Sequence, residues 1–409
     1  MSILGHLLLA LAAVVVVGRL LGRLLARLGQ PPVVGDIVAG IALGPSLLGL
    51  VAPAVSFYVL PPPVAPYLSV VAQLGVIVYM FLVGLELNPA VMRGRVQATV
   101  VTAVASVVVP FALGAALAFY LYPRLSTAAV PFAHFALFLG IALSVTALPV
   151  LARILADRGL SATPLGAIAL TCAAIGHVLA WCAPAVVVGV VQARVGSALG
   201  VVALTLAFVA AMFLAVRPVF RRIAMLARGS GVMSDVVAVT LAAMLLAALA
   251  TETIGIHAVF GAFLLGAVIP HESDLARSLE RSLGDLATVL LLPAFFALTG
   301  LRTQMGLLAG ASEWVLCGLI VLAATAGKIG GTFGAARLTG MDARDAARLG
   351  VLMNTRGLME LVVLNIGLDL GVISPTLFTM LVVMALVTTM TTAPLLGRRN
   401  YHRDRSLPI

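Results

Sequence analysis

Two ionisable side chains stand in long apolar stretches of the sequence, and either could move a proton inside a membrane. His177 lies in TCAAIGHVLAWCAP (171–184), and Lys328, the only lysine of the chain, lies in ATAGKIGG (324–331). Histidine titrates near neutral pH, and an ionisable residue inside a span marks a candidate functional site. We therefore expect each of them to be an acid/base or ion-binding group.

Polar residues also interrupt two further apolar stretches, ALSVTALPV (142–150) and LMNTRGLMEL (352–361). Hydroxyl, amide and carboxylate groups at such positions can bind an ion or a polar substrate. The candidate binding residues that these stretches add are Thr146, Asn354, Thr355, Arg356 and Glu360. Arg356 precedes Glu360 by four residues, a spacing that pairs two charges on one helix face. If the site is catalytic, we expect His177, Lys328 and Glu360 to act as its acid and base groups.

The elements that carry these residues are predicted to be membrane spans. The chain has 409 residues, of which 62% are hydrophobic and 10% are charged, a composition that excludes a water-soluble domain. Because about 20 apolar residues cross the hydrocarbon core of a bilayer, we predict an all-α polytopic protein of thirteen spans. Their predicted bounds are 3–26, 33–51, 66–88, 96–121, 131–156, 164–192, 197–219, 232–251, 254–270, 281–301, 313–337, 345–369 and 374–396.

The arginines indicate how these spans are oriented. Twenty fall in one alternating set of loops, and three, Arg124, Arg194 and Arg302, fall in the other. Positively charged loops remain in the cytoplasm, so we predict a multi-pass protein of the cell membrane with its N-terminus outside and its C-terminus in the cytoplasm. We therefore attribute the net charge of +10 to the arginines of the cytoplasmic loops and expect no nucleic-acid partner.

The fifth and twelfth predicted spans hold the two interrupted stretches, so we expect both helices to break near Thr146 and Gly357. Backbone groups freed at that depth must be buried or line a cavity. Two broken helices in corresponding halves indicate inverted repeats and a binding site near the midplane.

The cysteines Cys172, Cys182 and Cys317 have no metal-ligand spacing and are expected in the core. We expect neither a metal nor a cofactor.

Several motifs resemble those of the monovalent cation/proton antiporter superfamily, in particular its second branch of cation/proton exchangers and glutathione-gated potassium efflux proteins. The motifs are QPPVVGDIVAGIALGPSLLG (30–49), LGVIVYMFLVGLELNP (74–89), ALSVTALPVLARILADRGL (142–160), TIGIHAVFGAFLLGAVIP (253–270), LLPAFFALTGLRT (291–303) and MNTRGLMELVVLNIGLDLGVISPTLFTMLVVMALVTT (353–389). The resemblance implies a sodium/proton antiporter-like fold, a homodimer in the lipid bilayer, and an ion site where the broken helices cross.

The resemblance also implies a division of the chain into a scaffold, or dimerisation, part and a mobile core. The scaffold would take residues 1–92 and 231–305, and the core residues 93–192 and 306–397. Residues 193–230 would form a linker helix, and 398–409 a cytoplasmic tail.

The sequence departs from the family pattern at the ion site. In the family, two adjacent aspartates usually precede VLAW, and here these positions hold Gly176 and His177; Asn88 also stands where aspartate is common. The family lysine that pairs with this carboxylate falls on Lys328, so the resemblance implies that His177 and Lys328 face one cavity. An alkali cation prefers oxygen ligands, preferably charged, whereas imidazole is a poor ligand for it. The departure predicts a transporter whose cation coupling is altered or lost, and it leaves Lys328 without its expected partner unless Glu360 approaches.

Three interpretations remain open at this stage. The protein could be a transporter with changed coupling for a small cation or anion, or for an organic molecule. It could be an intramembrane enzyme built on an antiporter fold, using acid/base groups to isomerise or cyclise a lipophilic small molecule. It could also be a non-transporting scaffold or regulator, since a fold does not fix a function.

Overall fold

A computed structural model describes residues 2–86, 96–127, 130–161, 163–176, 198–226 and 233–396 of the chain. Every regular element within these residues is helical, as the composition predicts. The α-helices are α1 (Ile3–Arg27), α2 (Pro32–Leu43), α3 (Leu48–Val51), α4 (Pro53–Val59), α5 (Ala65–Glu86), α6 (Val96–Leu125), α7 (Phe132–Ser144), α8 (Leu148–Asp157), α9 (Pro164–Gly176), α10 (Ala198–Ala211), α11 (Arg217–Leu226), α12 (Met233–Ile254), α13 (Val259–Val268), α14 (Asp274–Leu286), α15 (Leu292–Arg302), α16 (Ala311–Leu338), α17 (Ala343–Met353), α18 (Leu358–Asp369) and α19 (Pro375–Leu395).

The described helices agree with a polytopic membrane protein. Ten helical segments, several of which combine two consecutive helices, are long and apolar enough to cross a bilayer, and the bent pair α17–α18 makes an eleventh candidate span. Two shorter apolar helices, α9 and α13, occupy the positions of predicted spans six and nine. Predicted span six continues past residue 176 into residues outside the described part of the chain. The count of thirteen therefore stays a prediction.

The chain divides into two compact units. Unit 1 contains residues 1–20, 36–90 and 181–302, and unit 2 contains residues 21–35, 91–180 and 303–409. Each unit draws segments from both halves of the sequence. The predicted roles of scaffold and mobile core stay predictions.

Close backbone contacts at glycines hold unit 1 together. A Cβ atom on Gly84 of α5 would lie 2.2 Å from the carbonyl oxygen of Phe263 in α13, and one on Gly300 of α15 would lie 2.1 Å from the carbonyl carbon of Gly40 in α2. Small residues let helices approach in a membrane, where packing and hydrogen bonds rather than hydrophobic burial drive association. The inverted repeat predicted from the sequence would place predicted spans two and three on spans nine and ten. It would thereby relate the contact between spans three and nine to the contact between spans two and ten.

In unit 2, similar contacts fix α6 against α16. A Cβ atom on Gly327 would lie 2.8 Å from Cα of Pro110, and one on Gly331 would lie 2.7 Å from Cβ of Val109. Lys328 follows Gly327 directly. The glycines therefore bring the backbone of α6 close to the lysine.

Asp342 caps the N-terminus of α17, directly before Ala343. Its carboxylate accepts hydrogen bonds from the backbone N–H groups of Arg344 (2.7 Å) and Asp345 (3.3 Å). These bonds, above all the one from Arg344, hold the pKa of Asp342 below its ordinary range. The folded state gains from this cap while the carboxyl is ionised, and the gain is lost only as the pH falls through that lowered pKa.

Candidate functional site

Two helices break and cross within unit 2, as the sequence predicts. α7 ends at Ser144 and α8 begins at Leu148, while α17 ends at Met353 and α18 begins at Leu358 after a 45° bend. The breaks bind each other directly. The backbone N–H of Ala147 donates to the carbonyl of Thr355 (3.1 Å), and the hydroxyl of Thr146 donates to the carbonyl of Met353 (3.2 Å).

The crossing also requires a glycine. A Cβ atom on Gly357 would lie 2.7 Å from Cγ2 of Val150 and 3.2 Å from Cβ of Ala147. The first of these distances is shorter than real Cβ contacts, so a larger residue at 357 would have to displace the Val150 side chain at the start of α8. Gly357 is therefore part of the crossing rather than only a helix breaker.

Lys328 of α16 reaches into this crossing with a completely buried side chain. Its ammonium donates to the carbonyl oxygen of Ser106 (2.9 Å), the hydroxyl oxygen of Thr146 (2.6 Å) and the carbonyl oxygen of Ser144. We call these three oxygen atoms the ammonium cage. A lysine ammonium has three N–H donors, so the cage uses all of them. No donor remains for an anion, and the geometry disfavours the anion-binding alternative.

Arg356 is the second buried cation of the crossing, and it binds the end of the same half-helix. Its Nη1 and Nη2 atoms donate to the carbonyls of Ala142 (2.8 Å) and Leu143 (2.7 Å). Lys328 binds the next carbonyl, that of Ser144. The last carbonyls of a helix carry a partial negative charge and attract cations. Two cationic side chains thus neutralise the C-terminal end of α7.

Glu360 is the only acidic side chain that the described residues bury completely. Its Oε1 atom lies 3.2 Å from Nη1 of Arg356, and both side chains are fully shielded. Neither carboxylate oxygen has a well-aligned hydrogen bond among the described residues, and the same holds for Oδ1 of Asn354 and Oγ1 of Thr332. The carboxylate of Glu360 is therefore paired with Arg356. The buried oxygen atoms named above can each still accept a hydrogen bond.

Thr389 of α19 fixes the backbone of the second break. Its hydroxyl accepts a hydrogen bond from the N–H of Arg356 (3.0 Å) and donates one to the carbonyl of the same residue (2.8 Å). Where the helix breaks, the backbone N–H and C=O of Arg356 lose their partners within the helix, and no water is present at this depth to replace them. The hydroxyl of Thr389 binds both groups instead.

We predict that Thr389→Val lowers the free energy of unfolding by about 1–3 kcal/mol, since it leaves a buried N–H and a buried C=O without partners. Thr388→Val is the matched control, because the partners of that buried hydroxyl within the described chain are Met384 and Ala385 of its own helix. Thr389→Ser keeps the hydroxyl and should stay near the wild type. Thermal unfolding in detergent measures all three. Equal losses in the Thr388 and Thr389 valine variants would contradict the prediction.

Most of the predicted site residues lie in the crossing region. Thr146, Lys328, Asn354, Thr355, Arg356 and Glu360 are all buried in unit 2. His177 lies outside the described residues, so its predicted place beside Lys328 stays a prediction. Gly176 is the last described residue of α9, and a Cβ atom there would meet only Cγ2 of Val107, at 3.5 Å, among the described residues. Val107 adjoins Ser106, a member of the ammonium cage.

Sequence reasoning missed Ser106, Ser144 and Thr389. Two of them act through backbone carbonyls, which every residue type possesses, so their identity carries no signal. Thr389 lies in a span with several other threonines, and only the position of the break singles it out. The predicted pair of Arg356 and Glu360 is present. The alternative, in which Glu360 approaches Lys328, is not what the hydrogen bonds show, because the lysine ammonium binds uncharged oxygens.

Comparisons with known proteins agree with this fold. The chain is 44% identical over 399 residues to the Na(+)/H(+) antiporter NhaS4 of Synechocystis, a match that covers 95% of the chain and 96% of that protein. It is 40% identical to Cation/H(+) antiporter 20 of Arabidopsis thaliana over 94% of the chain but only 47% of that protein. The chain thus spans nearly all of NhaS4 and about half of the plant relative.

The solved structure of the sodium proton antiporter MjNhaP1 from Methanocaldococcus jannaschii has the same fold, with a TM-score of 0.70, 12% identity and 96% of each chain covered. None of these comparisons supports the intramembrane-enzyme alternative. The family profile described as "Sodium/hydrogen exchanger, transmembrane" matches residues 11–398. The chain is therefore a multi-pass membrane transporter that belongs to the sodium/hydrogen exchanger family.

Proposed function

We propose that the protein is a monovalent cation/proton antiporter in which Lys328 carries the proton and the transported cation takes the place of its ammonium. The names of the relatives support exchange of a cation for a proton. The observation that carries the role of Lys328 is the ammonium cage, in which three uncharged oxygens hold a completely buried cation.

The exchange follows from the hydrogen bonds of the cage. When the ammonium releases its proton to the open side, the neutral amine keeps two N–H donors and gains a lone pair. One cage oxygen then loses its donor, and the amine no longer brings a positive charge to the end of α7. The neutral amine then withdraws from the cage, and a dehydrated cation takes its place at the same oxygens. Reprotonation of Lys328 from the other side expels the cation.

This mechanism is the altered coupling that Gly176 and His177 lead us to expect. One positive charge occupies the cage in either loaded state, so one proton exchanges for one cation without net charge movement. In proteoliposomes with an internal pH dye, we expect a cation gradient to drive proton flux at a rate that an imposed membrane potential does not change. Flux that follows the potential would contradict the mechanism, and absence of cation-driven flux would contradict the proposed function.

We propose further that the transporter is a homodimer in the cell membrane, with its N-terminus outside and its C-terminus in the cytoplasm. The distribution of arginines supports the orientation, and the resemblance supports the dimer. The same resemblance supports a scaffold formed by residues 1–92 and 231–305 and a moving core formed by residues 93–192 and 306–397. Labelling of single introduced cysteines from each side of intact cells tests the orientation, and light scattering in detergent tests the dimer.

Restoring a carboxylate at one family position should strengthen cation binding. We predict that Gly176→Asp lowers the half-saturating Na⁺ concentration by at least about tenfold, equal to about 1.4 kcal/mol. A carboxylate beside Val107, the residue after Ser106 of the cage, would offset the dehydration of the cation, and the neighbours described around Gly176 leave room for its Cβ. The added titratable group should also make the exchange sensitive to membrane potential.

Gly176→Asn is the control for this variant, since it has nearly the same shape without the charge. We expect it to bind Na⁺ no better than the wild type. Equal affinities in the Asp and Asn variants would show that the missing charge does not limit binding.

A further inference from the structure

The ammonium cage also bears on which cation is transported. All three of its oxygen atoms are uncharged, two from the backbone and one from a hydroxyl. We propose that the cage selects cations with the size and weak hydration of an ammonium ion, so that ammonium and K⁺ are preferred over Na⁺ and Li⁺. This inference rests on the proposed function, because it concerns the same site.

The first argument is size. The cage already holds a primary ammonium, at 2.9 Å from the Ser106 oxygen and 2.6 Å from the Thr146 oxygen. Ammonium and potassium ions have nearly the same radius, whereas Na⁺ and Li⁺ need shorter distances to oxygen. At these two oxygens the cage therefore accommodates an ion with the radius of ammonium.

The second argument is that the cage oxygens are held in place. The Ser144 carbonyl is the last of α7, and Arg356 binds the two carbonyls before it. The Thr146 hydroxyl is tied to the carbonyl of Met353. Ser106 lies on α6, which packs tightly on α16 around Gly327. Contraction of the cage around a smaller ion would pull on these bonds and contacts.

The third argument is charge. Small cations hold their hydration water most strongly, and charged ligands are the usual compensation. Backbone carbonyls replace the weaker hydration shell of K⁺ in potassium channels. The one completely buried acid among the described residues, Glu360, is paired with Arg356. The cage thus offers little to offset the cost of dehydrating Na⁺ or Li⁺.

The test compares cations in wild-type proteoliposomes. K⁺, Rb⁺, Na⁺ and Li⁺ are each offered as chlorides, and ammonium ions are tested only by binding in detergent, because ammonia and methylamine both cross the bilayer as neutral bases. We expect K⁺ and Rb⁺ to half-saturate proton exchange at concentrations at least about tenfold below that of Na⁺. An equal or lower value for Na⁺ would overturn the selectivity and leave the proposed function standing.

Two variants separate the cage from the rest of the protein. Thr146→Val removes one cage oxygen and should weaken the binding of K⁺ more than that of Na⁺, whereas Thr146→Ser keeps the oxygen and the preference.

Lys328→Ala empties the cage, so purified protein in detergent should be stabilised against heat by methylammonium and K⁺ but not by Na⁺. If no cation drives exchange in the wild type, the proposed function fails, and this binding experiment alone decides the selectivity. Equal stabilisation by Na⁺ and K⁺ would then overturn it.

Discussion

Replacement of Lys328 by methionine is expected to reduce cation-driven proton exchange by at least about a hundredfold, equal to about 2.7 kcal/mol at the limiting step. Methionine fills a similar volume but cannot carry a proton. It also leaves the carbonyls of Ser106 and Ser144 without their donor. Proteoliposomes with a pH dye and an outward K⁺ gradient measure the effect, and comparison of protein yield and thermal unfolding separates it from misfolding.

Lys328→Arg sharpens this prediction. Arginine keeps the positive charge, but its guanidinium does not lose a proton in proteins. If Lys328 acts only as a structural charge, the arginine variant should retain exchange. If Lys328 carries the proton, the variant should be as inactive as the methionine variant while remaining better folded. Exchange at the wild-type rate in a folded arginine variant would refute the proton-carrying role.

The second large effect concerns stability. Arg356→Met is expected to lower the free energy of unfolding by about 3–5 kcal/mol, because it leaves the Glu360 carboxylate buried without its cation. The loss also removes the donors to the carbonyls of Ala142 and Leu143. Glu360→Gln should destabilise for the opposite reason, since it leaves a buried guanidinium without a carboxylate. Thermal unfolding in detergent compares both variants with the wild type.

A double-mutant cycle and a surface pair provide the controls. The combination of Arg356→Met with Glu360→Gln should cost clearly less than the sum of the two single changes, because neither charge is left alone. Arg153 and Asp157 have the same spacing in α8, but their side chains are 61% and 52% exposed. Arg153→Met should therefore change the stability by less than about 1 kcal/mol. Additive losses at positions 356 and 360 would refute the coupling.

Much of the fold was predictable because a membrane imposes simple rules. Long apolar runs gave the spans, and polar residues beside Pro149 and Gly357 gave the two breaks. Predicted span nine nevertheless contains only a ten-residue α-helix, Val259–Val268, because the chain around His257 is not helical. Sequence polarity locates a span, but it does not determine how much of the span is helix.

The site was predictable only in its side chains. Lys328, Arg356 and Glu360 stand out because charge is costly in an apolar span. The four-residue spacing predicted the pair of Arg356 and Glu360. The uncharged partners of Lys328 did not follow from sequence, because they depend on where the last carbonyls of α7 point. Those carbonyls accept hydrogen bonds from both Lys328 and Arg356, and Glu360 lies next to Arg356.

The glycine contacts of unit 1 constrain the order in which the chain can assemble during synthesis. Gly84 meets Phe263, and Gly40 meets Phe296, so the partners of α2 and α5 are made long after these helices. At about 5–20 residues per second, the ribosome needs tens of seconds to supply them. During that time the glycine faces of α2 and α5 lie uncovered in the bilayer. The N-terminal half therefore cannot reach its final packing alone, and the later helices complete it when they insert.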